Sequence, residues 1–144
     1  MTPDQKGSVA ETAIIHAAVK LGIGVFKPVT DGYRYDLIFE VCQRLIRVQC
    51  KWTRRYGDVI SVRCYSSRRN RDGLVRRAYE REEVDAFAAY CPEVDRCYFL
   101  PFDRFPGRFS IQLRLQRSRN NQQARVNWAE DFEFERLNWA DLGP

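Results

Sequence analysis

The stretch YDLIFEVCQRLIRVQCKW, from Tyr35 to Trp52, decides how the rest of the chain is interpreted. Apolar and polar residues alternate through it twice, which predicts two β-strands, Tyr35 to Val41 and Leu45 to Trp52. In each strand one face is apolar and the other carries most of the polar side chains. The sequence therefore predicts a half-buried strand pair at the centre of the fold.

The polar residues of this pair are expected to converge. A two-residue turn at Gln43-Arg44 would join the strands and set Asp36 opposite Lys51. Gln49 lies two residues before Lys51 and shares its face, since opposed residues of neighbouring strands point to the same side. The pattern predicts a cluster of one carboxylate, one amide and one ammonium.

Size, charge and cysteine content set broad limits on the class of protein. The 144 residues suit a single domain, 1–144, with an extension from about residue 116 that provides packing or oligomer contacts. No apolar run is long enough to cross a bilayer and no signal segment is visible, so we expect a cytoplasmic protein without a membrane partner. Five cysteines are then expected to be reduced.

Positive charge is concentrated in the middle of the chain. From Arg44 to Arg81 there are twelve Lys or Arg residues against three acids, a local charge of +9 in a chain whose net charge is +5. The remainder must sum to −4. Nearly all of the basic residues are Arg, which forms paired hydrogen bonds with phosphates and base edges. The distribution predicts a face that binds nucleic acid, against the alternative of a solvated surface.

Residues 65–77 (YSSRRNRDGLVRR) are expected to form a loop or ribbon that reaches into double-stranded DNA, or else a surface loop without a partner. Together with nearby positions they give a set of candidate DNA-binding residues that can donate to phosphates or bases. These are Arg54, Arg55, Arg63, Ser66, Ser67, Arg68, Arg69, Asn70, Arg71 and Arg76.

Several other elements are predicted from periodicity. Gln5 to Leu21 has an apolar stripe at helical spacing and ends at glycines. Strands are expected at Gly24–Pro28, Asp58–Cys64 and Phe109–Leu115. Val84–Cys91 and Arg96–Pro101 predict a second hairpin, with a partly helical 78–90 as the alternative, and 118–123 predict a polar loop. The aromatic residues of an acidic tail are assigned to packing or subunit contact: Trp128, Phe132, Phe134 and Trp139.

The central cluster has the composition needed for phosphodiester hydrolysis. Asp36 can supply a hard oxygen ligand for Mg²⁺ (or Mn²⁺), and Gln49 and the main-chain carbonyl of Cys50 can supply two more. Lys51 can orient an attacking water and stabilise negative charge on the phosphate. A polar outer face of an ordinary sheet is the competing interpretation.

Four segments in this order resemble the PD-(D/E)XK nuclease superfamily, and more narrowly its group I intron-associated homing endonuclease branch. They are the helix KGSVAE (6–11), the strand with DLI (36–38), the strand with VQCK (48–51) and the hairpin YCPEVDRCYFLP (90–101). The resemblance extends from about Gln5 to Pro101. It implies an α/β fold, a restriction-endonuclease-like mixed β-sheet core flanked by helices.

The resemblance also assigns site residues. Asp36 matches the metal-binding carboxylate and Lys51 the catalytic lysine. Glu11, which periodicity alone places at a solvent boundary, matches the helix carboxylate that assists the metal. Gln49 stands where most of the superfamily has Asp or Glu, which resembles the intron-associated branch and implies weaker metal binding. No proline precedes Asp36, which departs from the motif.

The sequence thus predicts a Mg²⁺-dependent, sequence-specific DNA endonuclease. A single active centre per chain and two strands per duplex imply at least a homodimer, and the resemblance implies a homotetramer. Two alternatives remain open at this point. One is a Holliday-junction resolvase, and the other is a non-catalytic DNA-binding module, which the missing acid at Gln49 favours.

Overall fold

The computed structural model describes residues 1–105, 107–116 and 126–142. Within them the chain forms one α-helix, ten β-strands and short 3-10 turns. The elements are α1 Pro3–Lys20, β1 Gly24–Phe26, β2 Leu37–Val41, β3 Arg44–Trp52, β4 Arg54–Tyr56, β5 Val59–Arg63, β6 Tyr65–Asn70, β7 Gly73–Ala78, β8 Ala86–Cys91, β9 Arg96–Pro101 and β10 Ser110–Arg114. The predicted polar loop at 118–123 lies outside the described residues.

A mixed sheet of five strands in the order β1-β2-β3-β8-β9 forms the centre of the fold. The pair β3-β8 is parallel, and the other pairs are antiparallel. A second sheet has the order β10-β5-β4, and β6 and β7 form a separate two-stranded ribbon. This is the predicted α/β architecture with a mixed sheet.

The central sheet lies between two apolar layers. Ala86 and Ala88 of β8 point to the α1 side, where they join Ile14, Phe39 and Phe99. Alternate residues of the same strand point to the other side and pack against the second sheet, as Phe87 does. Because β8 is buried on both faces, its sequence is continuously apolar. The alternative of a partly helical 78–90, which rested on the frequent Ala and Glu residues there, is wrong: β7 ends at Ala78, β8 begins at Ala86 and no helix lies between them.

The first helix begins two residues earlier than predicted because Thr2 forms a capping box with Gln5 and Pro3 occupies the first turn. Its buried residues are Ala10, Ile14 and Ala18, which belong to the predicted stripe. The described helices include none long and apolar enough to span a bilayer.

The turn between β2 and β3 differs from the prediction. It lies at Cys42-Gln43, where both residues have left-handed φ angles of 50° and 67°, and Val41 pairs with Arg44. Asp36 is therefore level with Gln49 rather than with Lys51. These turn residues are not the Asn-Gly pair that usually marks such a hairpin. The register moves by two positions, so every side chain keeps its predicted face.

The strand predicted at Arg96–Pro101 is present with those bounds, the other predicted strands are present with shorter ends, and β4 was not predicted. The five cysteines are all free, as expected. Part of the tail packs on the sheet: Phe134 is buried against Phe39 and Phe99, and the Trp139 ring lies 4.7 Å from that of Phe99. Contacts of the tail with a second subunit remain a prediction.

Candidate active site

The candidate site forms where β3 continues beyond its neighbour β2. The β2–β3 pairing ends at Leu37 and Val48, whereas β8 accompanies the other edge of β3 to Trp52. Along a strand, the N–H and C=O of one residue point to the same edge. The backbone groups of Cys50 therefore point to the edge that β2 has left open.

Asp36 lies at this open edge, immediately before β2. Its N–H donates to the carbonyl of Val48 at 2.9 Å, and its Oδ2 accepts from the Cys50 N–H at 2.9 Å. These two bonds fix the carboxylate beside the backbone of Cys50. The Cys50 carbonyl points to the same edge, so carboxylate and carbonyl oxygens face one region.

The environment of Asp36 does not favour its negative charge. Burial raises the pKa of the Asp36 carboxyl; the hydrogen bond from Cys50 opposes this, and the nearby carboxylate of Glu11 raises the pKa further. The positive charges of Lys51 and Lys27 lower it, but the net pKa shift is upward. A buried carboxylate held in this way is expected to gain from a bound cation.

Gln49 and the Cys50 carbonyl are neighbours at this edge. The Gln49 amide nitrogen lies 3.5 Å from the Cys50 oxygen. A half-turn of the terminal amide would exchange its nitrogen and oxygen and place two oxygens side by side. The Cys50 thiol points into the layer beneath α1, where burial raises its pKa well above the usual value. Cys50 is therefore suited to binding a metal through its carbonyl rather than as a thiolate.

Glu11 reaches the site from α1. It lines a cleft of about 220 Å³ together with Lys27, Tyr35 and Asp36. The Lys27 ammonium forms an ion pair with the Glu11 carboxylate. That contact raises the pKa of Lys27, with a further contribution from the charge of Asp36. The Lys27 ammonium thus occupies the Glu11 side of the cleft.

Lys51 lies on the face of β3 opposite to α1. Its Nζ donates to the carbonyl of Tyr65 at 3.0 Å, lies 3.5 Å from the Tyr79 hydroxyl and 4.8 Å from the Tyr79 ring centre. Burial lowers the pKa of Lys51 to about 8, although the charge of Asp36 raises it. Near neutral pH this ammonium can donate hydrogen bonds and can also release a proton at little cost.

The donor set fits a hard divalent cation. Among the described residues no three His, Cys, Asp or Glu side chains lie close enough to hold a metal ion. The site offers instead two carboxylates, one amide and one main-chain carbonyl, all of them oxygen donors of the kind that Mg²⁺ binds. The Lys27 ammonium on Glu11 shows that this cleft accepts positive charge.

Most of the predicted DNA-binding residues lie on the ribbon β6–β7, which projects from the body with nearly all of its side chains exposed. We call residues 65–78 the arginine ribbon. Pairing of Ser67 with Arg76 and of Arg69 with Leu74 gives one face, and Arg68 opposes Val75 on the other. The Arg76 guanidinium lies 5.0 Å from the Tyr65 ring centre.

The remaining predicted contacts occupy different positions. Arg54 and Arg55 are exposed on β4, and Arg63 ends β5. Arg55 donates to the Gly57 carbonyl at 2.6 Å. Asn70 accepts the Asp72 N–H at 2.9 Å in the ribbon turn, whose tip is Arg71.

Sequence reasoning missed three residues that contact the site. Lys27 forms an ion pair with Glu11. The Tyr79 ring contacts both the Lys51 ammonium and the Arg34 guanidinium, and Arg34 also donates to Ser66 of the ribbon. All three come from loops or strand ends, where no periodicity predicts the direction of a side chain. The only signal for Arg34 was its position two residues before Asp36.

The chain is similar to known nucleases in both sequence and structure. The sequence profile described as PD-(D/E)XK endonuclease matches residues 1–135. Among solved structures the chain is similar to a bacterial homing endonuclease, I-Ssp6803I. The TM-score is 0.72 and the sequence identity 28%, over 94% of this chain and 90% of that one. No curated protein matches the chain.

Proposed function

The chain belongs to the PD-(D/E)XK endonuclease family, and from this premise we propose that it is a Mg²⁺-dependent, sequence-specific DNA endonuclease of the homing type. The family and the structural neighbour support a DNA endonuclease. The observation that carries the finer proposal is the open edge of β3, where Asp36 is fixed to the Cys50 N–H at 2.9 Å beside the Cys50 carbonyl and Gln49.

The metal would be held by Asp36, Gln49 and the carbonyl of Cys50, with Glu11 supporting it from α1. A bound Mg²⁺ (or Mn²⁺) would offset charge on the scissile phosphate and favour ionisation of a water. Two of the four donors are neutral, so we expect weaker metal binding than at a site with three carboxylates.

The protein's own contribution is orientation and proton handling. We assign to the Lys51 ammonium, which here donates to the Tyr65 carbonyl at 3.0 Å, the role of holding the attacking water in line with the scissile bond. It can also stabilise the negative charge that develops on the phosphate oxygens. Attack by water in line would leave 5′-phosphate and 3′-hydroxyl ends.

The arginine ribbon is proposed to bind duplex DNA. Its exposed guanidinium groups can pair with phosphates and read guanine edges in the major groove, which admits a two-stranded ribbon. Replacing Arg68, Arg69 and Arg71 by Gln should weaken binding and flatten its salt dependence by about one unit of log–log slope for each phosphate that is no longer neutralised. An unchanged slope would show that these side chains face away from DNA.

One active centre per chain and two strands in a duplex support a symmetric homodimer as the smallest unit that cuts both strands. A homotetramer, and a group I intron as the host element, are further proposals that follow from the branch of the family. Sedimentation of the protein with and without its DNA target would decide between dimer and tetramer.

The proposal is tested by selecting cleaved sites from a random duplex library in the presence of Mg²⁺. A recurrent cleaved sequence is the expected result, with Lys51→Ala binding the selected site without cutting it. Cleavage of four-way junctions without sequence preference would instead show a resolvase. If the wild type cuts no duplex or junction with Mg²⁺ or Mn²⁺ but still binds DNA, the chain is a non-catalytic binding module.

A further inference from the structure

Arg34, a half-buried residue in the loop before Asp36, contacts both strands of the arginine ribbon at its base. Its Nη1 donates to the Ala78 carbonyl and to Glu83, each at 3.0 Å. Its Nη2 donates to the Ser66 hydroxyl at 2.7 Å and to the Arg77 carbonyl at 3.2 Å. One guanidinium thus joins both strands of the ribbon to the loop that carries Asp36.

The ring of Tyr79 connects this contact with Lys51. The Arg34 guanidinium carbon lies 3.9 Å from the Tyr79 ring centre, and the Lys51 ammonium lies 4.8 Å from the same centre. Lys51 also donates to the Tyr65 carbonyl, at the first residue of the ribbon. Two cations from the site and both ends of the ribbon therefore meet around one aromatic ring.

The energetics favour a fixed arrangement. The Arg34 side chain is only 15% exposed, and its partner Glu83 17%. Charge-assisted hydrogen bonds of this kind are about twice as strong as neutral ones, and the planar fork restricts their geometry. An ammonium could not reach four acceptors on three segments. Loss of Arg34 would remove its bonds to Ser66, Arg77 and Ala78. The Lys51 bond to the Tyr65 carbonyl and the Arg77–Glu83 ion pair would remain.

We propose that Arg34 is a positioning residue that fixes the arginine ribbon relative to Lys51, so that DNA held by the ribbon presents its scissile phosphate to the site. The inference rests on the proposed function for its catalytic consequence. Its structural part, the immobilisation of the ribbon base, is independent of any activity.

The test compares Arg34→Met with Arg34→Lys and with a control, Arg96→Met. Arg96 also forms an ion pair with a glutamate, Glu133, and is 58% exposed, so the control removes the same charge at a position away from the ribbon. The first measurement is amide hydrogen exchange in peptides that cover residues 65–79. We expect faster exchange in both Arg34 variants and no change in Arg96→Met.

The second measurement uses the duplex selected above. The single-turnover cleavage rate at saturating DNA should fall by about tenfold or more in both Arg34 variants, because a small misplacement of reacting groups is costly. Affinity for the duplex in Ca²⁺ should change by less than about threefold, which corresponds to under 0.7 kcal/mol. Cleavage should also spread to neighbouring phosphates. A purely structural role would lower the folded fraction but would leave the cleavage position unchanged.

Unaltered exchange over residues 65–79 in Arg34→Met would overturn the proposal whatever the activity. Wild-type cleavage by Arg34→Met at the wild-type position would overturn the link to Lys51. If the wild type cuts nothing, the proposed function fails, whereas the exchange measurement still decides whether Arg34 immobilises the ribbon.

Discussion

Two aspartates flank β3 in nearly equivalent positions but in opposite electrostatic environments. Asp36 precedes β2 and Asp85 precedes β8; each donates its N–H to a β3 carbonyl and accepts a β3 N–H through its carboxylate. Asp85 also accepts from the side chains of Arg47 and Arg81. Asp36 instead faces the cleft that it shares with Glu11.

The pKa values follow from this difference. Burial raises the pKa of Asp85, but the hydrogen bonds from Arg47 and Arg81 outweigh it, and the net shift is downward. For Asp36 burial is the larger effect and the net shift is upward. The same backbone arrangement thus gives one aspartate that stabilises the fold and one whose charge is costly until a cation arrives.

The largest expected effect is on cleavage. Asp36→Asn should reduce the cleavage rate on the order of a thousandfold or more, because several kcal/mol of metal-mediated stabilisation is lost. It should not reduce the free energy of unfolding at neutral pH, since Asn can still accept the Cys50 N–H without a buried charge. Single-turnover cleavage and urea unfolding measure the two effects. A destabilised Asp36→Asn protein would contradict the comparison.

The matching substitution on the other side of β3 should have the reverse effect. Asp85→Asn should lower the free energy of unfolding by about 2 kcal/mol, as charge-assisted hydrogen bonds are lost, and folded protein should cut at nearly the wild-type rate. Asp103→Asn is the control, because Asp103 also pairs with Arg81 but is 71% exposed. It should change stability by less than about 0.5 kcal/mol.

A smaller effect concerns the Lys27 ammonium, which is paired with Glu11 in the cleft. Lys27→Met should bind Mg²⁺ about fivefold more tightly, because the metal no longer has to displace the Lys27 ammonium from Glu11. An exposed ion pair of this kind is worth about 1 kcal/mol. Calorimetric Mg²⁺ titration without DNA measures this, with Lys20→Met as a control for net charge. Equal affinity in the two variants would show that Lys27 does not compete with the metal.

The smallest effect is on the pH dependence of stability. Because the folded-state pKa of Asp36 is raised, its ionisation costs stability as pH rises through that range; wild type should lose stability there relative to Asp36→Asn. The lowered pKa of Asp85 acts in the other direction. Its contribution is present above the unfolded-state pKa and is lost as pH falls through the folded one. Urea unfolding at several pH values below neutrality should show this. The difference in unfolding free energy between wild type and Asp36→Asn should fall as pH rises, and that between wild type and Asp85→Asn should increase.

Local patterns predicted most elements of the fold. Alternation placed Leu37, Phe39 and Val41 on one face of β2, and helical spacing selected Ala10, Ile14 and Ala18. The turn at Cys42-Gln43 was predicted one residue late because its left-handed residues are not glycine or asparagine. The error left the faces intact, since a shift of two positions preserves the alternation.

The site was predicted from residue types and a family resemblance, and its chemistry is the part that sequence describes best. Asp36 precedes β2, and Gln49 and Lys51 lie on the neighbouring β3, so any register of the correct parity places the three residues on one face. Their separation along the strands depends on the register, which sets Asp36 level with Gln49. The contacts of Lys27 with Glu11 and of Arg34 with Ser66 and Glu83 do not follow from any repeat. They join positions 16, 32 and 49 residues apart along the chain.

The sequence by itself determined which faces are apolar, where positive charge is concentrated and which oxygen donors are available, because each is a property of residue type at short spacing. Only the tertiary structure decided that β3 extends beyond β2, so that the Cys50 carbonyl points to an unpaired strand edge. It also decided that Asp85 has arginine partners while Asp36 shares its cleft with Glu11 and Lys27, and that Arg34 contacts the ribbon. These outcomes depend on which distant segments pack together, and packing is decided by the whole chain at once.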